Sequence, residues 1–179
     1  MRAVQVSQHP RVAGGGCLSS HQARTALIYD HPDLGRCFIR QRGEETSQYD
    51  FTVQNSSGRI FHLLAVDKCM FFDEEDGTRC DCIVFTEAVS LFIDLKSNRS
   101  FSGRQKGRKK AISQICASIE WFLAEQLLLD LETVEVIVAN GTRKRHPRFN
   151  DNNIDKTAEL QKLFPNLRIR YEELPFRKL

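Results

Sequence analysis

The stretch Arg79-Cys-Asp-Cys-Ile-Val-Phe-Thr-Glu-Ala-Val-Ser-Leu-Phe-Ile-Asp-Leu-Lys96 decides how this chain folds. Two short apolar runs of strand character flank a brief connection, Thr86 to Val89. The first run carries one acid, Asp81, and the second ends on Asp94-Leu-Lys96. Side chains alternate across a strand, so Phe92, Asp94 and Lys96 share one face while Leu91, Ile93 and Leu95 share the other. A carboxylate and an ammonium set in such apolar sequence are costly to desolvate unless a partner compensates them. A divalent metal and a phosphodiester are partners of that kind.

Working outward, the chain reads as strands first and helices later. Cys37 to Arg40 and Tyr49 to Gln54 have strand character, and Ile60 to Val66 returns after the turn Asn55-Ser-Ser-Gly58. Lys68 to Phe72 leads into Asp73-Glu-Glu-Asp-Gly77, which reads as a solvated hairpin tip because EF-hand spacing is absent. Ile112, Ile115, Ile119, Phe122, Leu123 and Leu127 recur at helical spacing and predict a helix over Lys109 to Asp130. Val134 to Ala139 is a near-continuous apolar run that suits an interior strand. A second helix is predicted from Asp151 or Asn152 to Phe164, before Pro165, and Leu167, Ile169 and Tyr171 alternate as a final strand. Strand–helix–strand order after Lys96 implies an α/β layer fold in which the long helix is a crossover between parallel strands.

At 179 residues the chain suits one domain with a proper core. Residues 1–24 are expected to be a flexible leader or a loosely attached edge, and residues 25–179 a single α/β domain. The first residues lack the apolar core of a signal peptide, and no apolar stretch approaches the roughly 20 residues of a membrane span. The six cysteines, Cys17, Cys37, Cys69, Cys80, Cys82 and Cys116, are scattered and mostly lie in apolar runs. That pattern predicts free thiols in a reducing cytoplasm rather than a disulfide framework, with Cys80 and Cys82 on one strand face.

The quoted residues resemble the PD-(D/E)xK nuclease superfamily in its RecB-like branch. Gly77-Thr-Arg-Cys-Asp81 matches the acid that follows a turn into one strand, and Asp94-Leu-Lys96 matches the acid, any residue and Lys on the next. Gln114, early in the long helix, matches a Gln often found there. Cys80 stands where the family name puts Pro, Asp94 replaces the commoner Glu, and Ser118 sits where a Tyr is frequent. The resemblance covers residues 60 to 140. It implies a central mixed β-sheet flanked by helices, a restriction-endonuclease-like core, and a metal-dependent endonuclease hydrolysing phosphodiester bonds of DNA in preference to RNA.

On that reading Mg²⁺ (or Mn²⁺) is held by Asp81, Asp94 and the backbone carbonyl of Leu95, with Asp67 as a further acid. Lys96 holds the attacking water or the phosphate, and Gln114 orients a metal water or a phosphate. Glu44 and Glu45 are weaker candidates for the family's upstream acid. The net charge is only +3, but Arg99, Arg104, Lys106, Arg108, Lys109 and Lys110 fall in an acid-free stretch read as a basic loop, and Arg143, Lys144 and Arg145 form a second cluster with His146 and Arg148. Phe101 and Phe149 lie within these clusters as candidates for stacking on bases. Expected partners are nucleic acid and no membrane, with a homodimer or a subunit of a defence or repair complex both compatible. The alternative is a non-catalytic nucleic-acid-binding or interaction module that keeps the same fold.

Overall fold

The computed structural model describes residues 1–41, 50–72, 77–96, 101–139 and 151–179, with residues 41, 101–105 and 151–152 described by their backbone alone. In chain order the elements are α1 (Ala3–Gln8), α2 (Pro10–Ala13), β1 (Leu18–His21), β2 (Thr25–Asp30), β3 (Cys37–Gln41), β4 (Phe51–Gln54) and β5 (Phe61–Ala65). There follow β6 (Cys82–Phe85), β7 (Ser90–Leu95), α3 (Phe101–Ala124), β8 (Thr133–Ala139), α4 (Asp151–Leu163), β9 (Arg168–Glu173) and β10 (Phe176–Lys178).

These elements make two mixed sheets and one layer of helices. The first sheet has the order β1-β5-β6-β7-β8-β9 and the second β10-β4-β2-β3. In the first, β1, β5, β6 and β7 pair antiparallel, and β7, β8 and β9 pair parallel. A parallel pair cannot be closed by a hairpin, and α3 lies in the crossover between β7 and β8 as the sequence order requires. The fold is therefore mixed α/β.

Alternation sorts the first sheet's side chains into two cores. Phe92, Ile83, Val134, Val136 and Val138 face Ala111, Ile115, Ile119 and Phe122 of α3 and Leu160 of α4. Leu91, Ile93, Cys82, Val84 and Ile137 face Ala26, Ile28, Phe51 and Val53 of the second sheet. Phe92 and Phe122, both fully buried, meet edge to face with centroids 5.7 Å apart, which joins β7 to its crossover helix. On the other side, Arg177 of β10 is ion-paired with the buried Glu135 of β8 and ties the two sheets together. The helices cover only one face of the central sheet. The other face, expected to carry helices too, is covered by the second sheet.

Three further readings change. Residues 1–24, expected to be a loose leader, contain α1, α2 and β1; Val6 and Val12 are buried in the helical core, and β1 pairs with β5. Helix α3 begins at Phe101, so the stretch read as a basic loop is largely helical. It also ends earlier, at Ala124. Gln126 takes φ 57°, its N–H bonds the Leu123 carbonyl and the Leu127 N–H bonds the Phe122 carbonyl, a paired stop that redirects the chain toward β8.

The cysteines also depart from expectation. Cys17 and Cys69 form a disulfide with Cα atoms 5.6 Å apart, fastening the segment before β1 to the turn after β5. The thiol pattern thus no longer argues for a reducing compartment. Cys80 and Cys82 are separated, the first lying in the helical core and the second between the sheets.

The disulfide joins residues 52 apart in sequence, for which loop-closure entropy predicts about 4 kcal/mol of stabilisation. Cys17→Ser, or reduction of the wild type, should lower the free energy of unfolding measured in urea by that order.

Candidate functional site

The antiparallel register pairs Cys82 with Ile93, and Asp81, in the bend just before β6, comes beside the end of β7, where its carboxylate meets the Leu95 N–H. Asp94 alternates with Ile93 and shares the helical face of the sheet with Phe92. Asp94, the fifth residue of β7, is fully buried. The Lys96 ammonium is ion-paired with its Oδ1, and Lys96 keeps 16% of its side chain exposed. Apart from that ammonium, neither oxygen of Asp94 has a hydrogen-bond partner among the described residues. Asp81 Oδ2 accepts the Leu95 N–H at 2.5 Å, which caps the strand edge just where β6 stops short.

Helix α3 fixes the approach to Asp81. Gln114 is buried and its Nε2 donates to the Arg79 carbonyl at 2.9 Å, while its Oε1 has no partner among the described residues. Ser118 Oγ, one turn on, accepts the Cys80 N–H at 2.9 Å and donates to the Gln114 carbonyl. These two side chains hold the backbone immediately before Asp81 against the helix. A Tyr at position 118 could not sit in so buried a place without displacing that contact.

Electrostatics follow from burial. Desolvation, and then the charge of Asp94, push the Asp81 carboxyl up to about 7. Burial also raises Asp94, and the Lys96 ammonium and Lys110 counter it. Asp67 adds to the rise at Asp94, and Asp30, at the end of β2 in the second sheet, adds to that at Asp81. Asp30 is itself raised, by desolvation and by Asp50 and Asp67. Acids from both sheets are therefore electrostatically linked. Sequence reasoning had not picked out Asp30, whose only local signal is an acid closing an apolar strand.

The other candidates fall out as follows. Asp67 Oδ1 accepts the Lys68 N–H at 3.0 Å, and its own N–H bonds the Asp81 carbonyl, so it also serves the turn. Leu95 is the last residue of β7. Lys106, Lys109 and Lys110 are exposed on α3. Arg108 is instead held by Glu173 of β9, Nε to Oε1 at 2.7 Å and Nη2 to Oε2 at 3.0 Å. Glu44, Glu45, the Asp73 to Asp76 tip, Arg99, Arg143, Lys144, Arg145, His146, Arg148 and Phe149 lie outside the described residues, as do the side chains of Phe101 and Arg104.

No protein-family model, curated protein or solved structure matches the chain. Its chemistry rests on the site alone. Among the described residues no three His, Cys, Asp or Glu side chains converge as a ready metal cluster, and no helix is long and apolar enough to cross a membrane. Two carboxylates nonetheless suit a hard cation such as Mg²⁺, which keeps several of its waters and needs few protein ligands. Asp94 Oδ2, which has no partner among the described residues, fits that requirement.

A folded carboxyl raised from the usual range to about 7 makes the native state bind more protons than the unfolded chain between those pH values. Native stability should then fall as pH rises from about 4 to about 7 in chelator. Asp81→Asn keeps an oxygen for the Leu95 N–H but cannot ionise. Its melting temperature relative to wild type should climb across that interval, and a constant difference would place the Asp81 carboxyl in its ordinary range.

Proposed function

We propose that this protein is a metal-dependent nuclease that hydrolyses phosphodiester bonds of nucleic acid, DNA in preference to RNA, with Mg²⁺ or Mn²⁺. The observation that carries the reading is the Asp81 carboxylate bonded to the Leu95 N–H beside Asp94, with Lys96 against Asp94, at the carboxyl end of a strand that enters a crossover helix. In α/β sheets that end is where functional groups collect. The six-stranded sheet with α3 then plays the part of a restriction-endonuclease-like core, with the second sheet added on its far face.

Asp81, Asp94 and the Leu95 carbonyl would hold the ion, and Asp67 stands nearby as a further acid. The ion supplies charge to the phosphate oxygens and lowers the pKa of bound water. Lys96 then exchanges its contact with Asp94 for the phosphate or the attacking water, stabilising charge that develops in the transition state. Gln114 offers its unpartnered Oε1 for orienting water, while its amide nitrogen stays on Arg79. Lys106, Lys109 and Lys110 provide a positive flank for the backbone of the substrate.

One observation favours the non-catalytic reading. Lys96 already compensates Asp94 and the Leu95 N–H already engages Asp81, so the pair is stable without an ion. Incubation with plasmid, linear duplex, single-stranded DNA and RNA, with Mg²⁺, Mn²⁺ or chelator, separates the two. Cleavage by wild type should require metal. Lys96→Ala should cut roughly 100-fold or more slowly while still binding Mg²⁺, and Asp94→Asn should lose both. Absence of cleavage on every substrate, with nucleic-acid binding intact, selects the binding module.

Replacing Lys106, Lys109 and Lys110 with Gln should weaken duplex binding and lower the slope of log K against log salt by roughly 3, about one for each phosphate no longer neutralised. An unchanged slope would remove α3 from the interface.

A further inference from the structure

The outer face of the second sheet has a composition that the nuclease site does not use. Its register places Tyr29 opposite Phe38, Leu27 opposite Arg40 and Thr52, and Gln54 opposite Lys178. The alternate residues Ala26, Ile28 and Cys37 point inward to the core between the sheets. Aromatic rings therefore stand on a solvent-side surface, although burial was available one residue away. Tyr29, Phe38 and His31 form a contiguous patch, with Tyr29 and Phe38 centroids 6.2 Å apart and His31 and Phe38 5.5 Å apart.

Cations are threaded through it. The Arg36 guanidinium lies 4.9 Å above the Phe38 ring and that of Arg40 lies 4.3 Å above Tyr29. At the other edge Phe176 is 37% exposed, and Lys178 is exposed beside Gln54. Asp50, one step beyond the Ile28–Phe51 pair, accepts the Asp30 N–H and is the acid of this face among the described residues. Flat rings interleaved with positive charge complement the π-faces and phosphates of an unpaired strand, whereas a duplex hides its bases from such a surface.

Arg36 is held by its own Nη1 bonds to the Gly15 carbonyl and to Cys69 Sγ. We propose that this face binds single-stranded nucleic acid, with bases stacked on Tyr29 and Phe38 and phosphates drawn to Arg40 and Lys178. The assignment rests on the nucleic-acid reading above and extends it by naming the form of the substrate.

The test is fluorescence anisotropy of the full chain with labelled 12-mers of oligo-dT and oligo-U and a 12-base-pair duplex, in chelator so that nothing is cut. Wild type should bind the single strands more tightly than the duplex. Tyr29→Ala and Phe38→Leu should each weaken single-strand binding about tenfold, the order expected for one stacked base. Tyr29→Phe should stay within about twofold, and the duplex affinity should hardly move. Phe38→Leu keeps an apolar side chain, and circular dichroism melts establish that each variant is folded. Single-strand affinity unchanged in folded Tyr29→Ala and Phe38→Leu, or no single-strand binding by wild type, overturns the inference. Binding lost in these variants while wild type cleaves nothing with Mg²⁺ or Mn²⁺ sustains it and sinks the nuclease reading instead.

Discussion

Burial of both faces of the six-stranded sheet is the constraint from which the rest follows. With helices on one side and a second sheet on the other, most residues of β6, β7 and β8 point into one apolar layer or the other. Their side chains are accordingly almost all hydrophobic. Asp94 breaks that rule within β7 and is fully buried. Removing an ionised carboxylate from water costs several kcal/mol even after relaxation, so its retention needs a compensating group. Lys96, on the same strand face and just past the strand end, supplies it. A local violation of an otherwise consistent pattern is where function is to be sought.

The crossover helix connects this violation to the chain that precedes it. Because β7 and β8 are parallel, α3 must return across the sheet, and its Ile115, Ile119 and Phe122 stripe seats it over Phe92. Seated there, the helix brings Gln114 and Ser118 to the backbone of Arg79 and Cys80. A non-helical approach to a strand leaves backbone donors that need partners when buried, and these side chains provide them. The position of Asp81 is thus set by three contacts of different origin: the Val66 N–H on its carbonyl, the Leu95 N–H on its carboxylate, and the clamp from α3.

What was legible in the sequence follows the same physics. The strand pair around Asp81 and Asp94, the interior strand β8 and the core stripe of α3 announce themselves through apolar periodicity, since burial selects it. The first turns of α3 carry no such stripe. Arg, Lys and Gln are good helix formers, but Gly103, Gly107 and the density of charge read as loop. The second sheet was only partly visible, as β3 and β4 in outline, because short strands with one wet face give weak signals and β10 pairs with a partner distant in sequence. Spacing cannot pair cysteines, so the bond from Cys17 to Cys69 needed the fold to bring them together. Asp30 was hidden for the same reason, since it reaches the acid cluster from a different sheet.

The charge arrangement carries the argument one step beyond placement. Asp81, desolvated and beside Asp94, is raised to about 7, so its ionised form is short of compensating positive charge. Lys96 cannot supply it alone, being already committed to Asp94, and Lys110 acts only from the rim. A cation held by the two acids would favour their ionised forms. On the proposed reading Lys96 would then be less firmly held by Asp94 and free to meet a phosphate, so that metal, proton and lysine would be linked through the two carboxylates. Such a linkage follows from acids desolvated side by side at the end of a sheet closed on both faces.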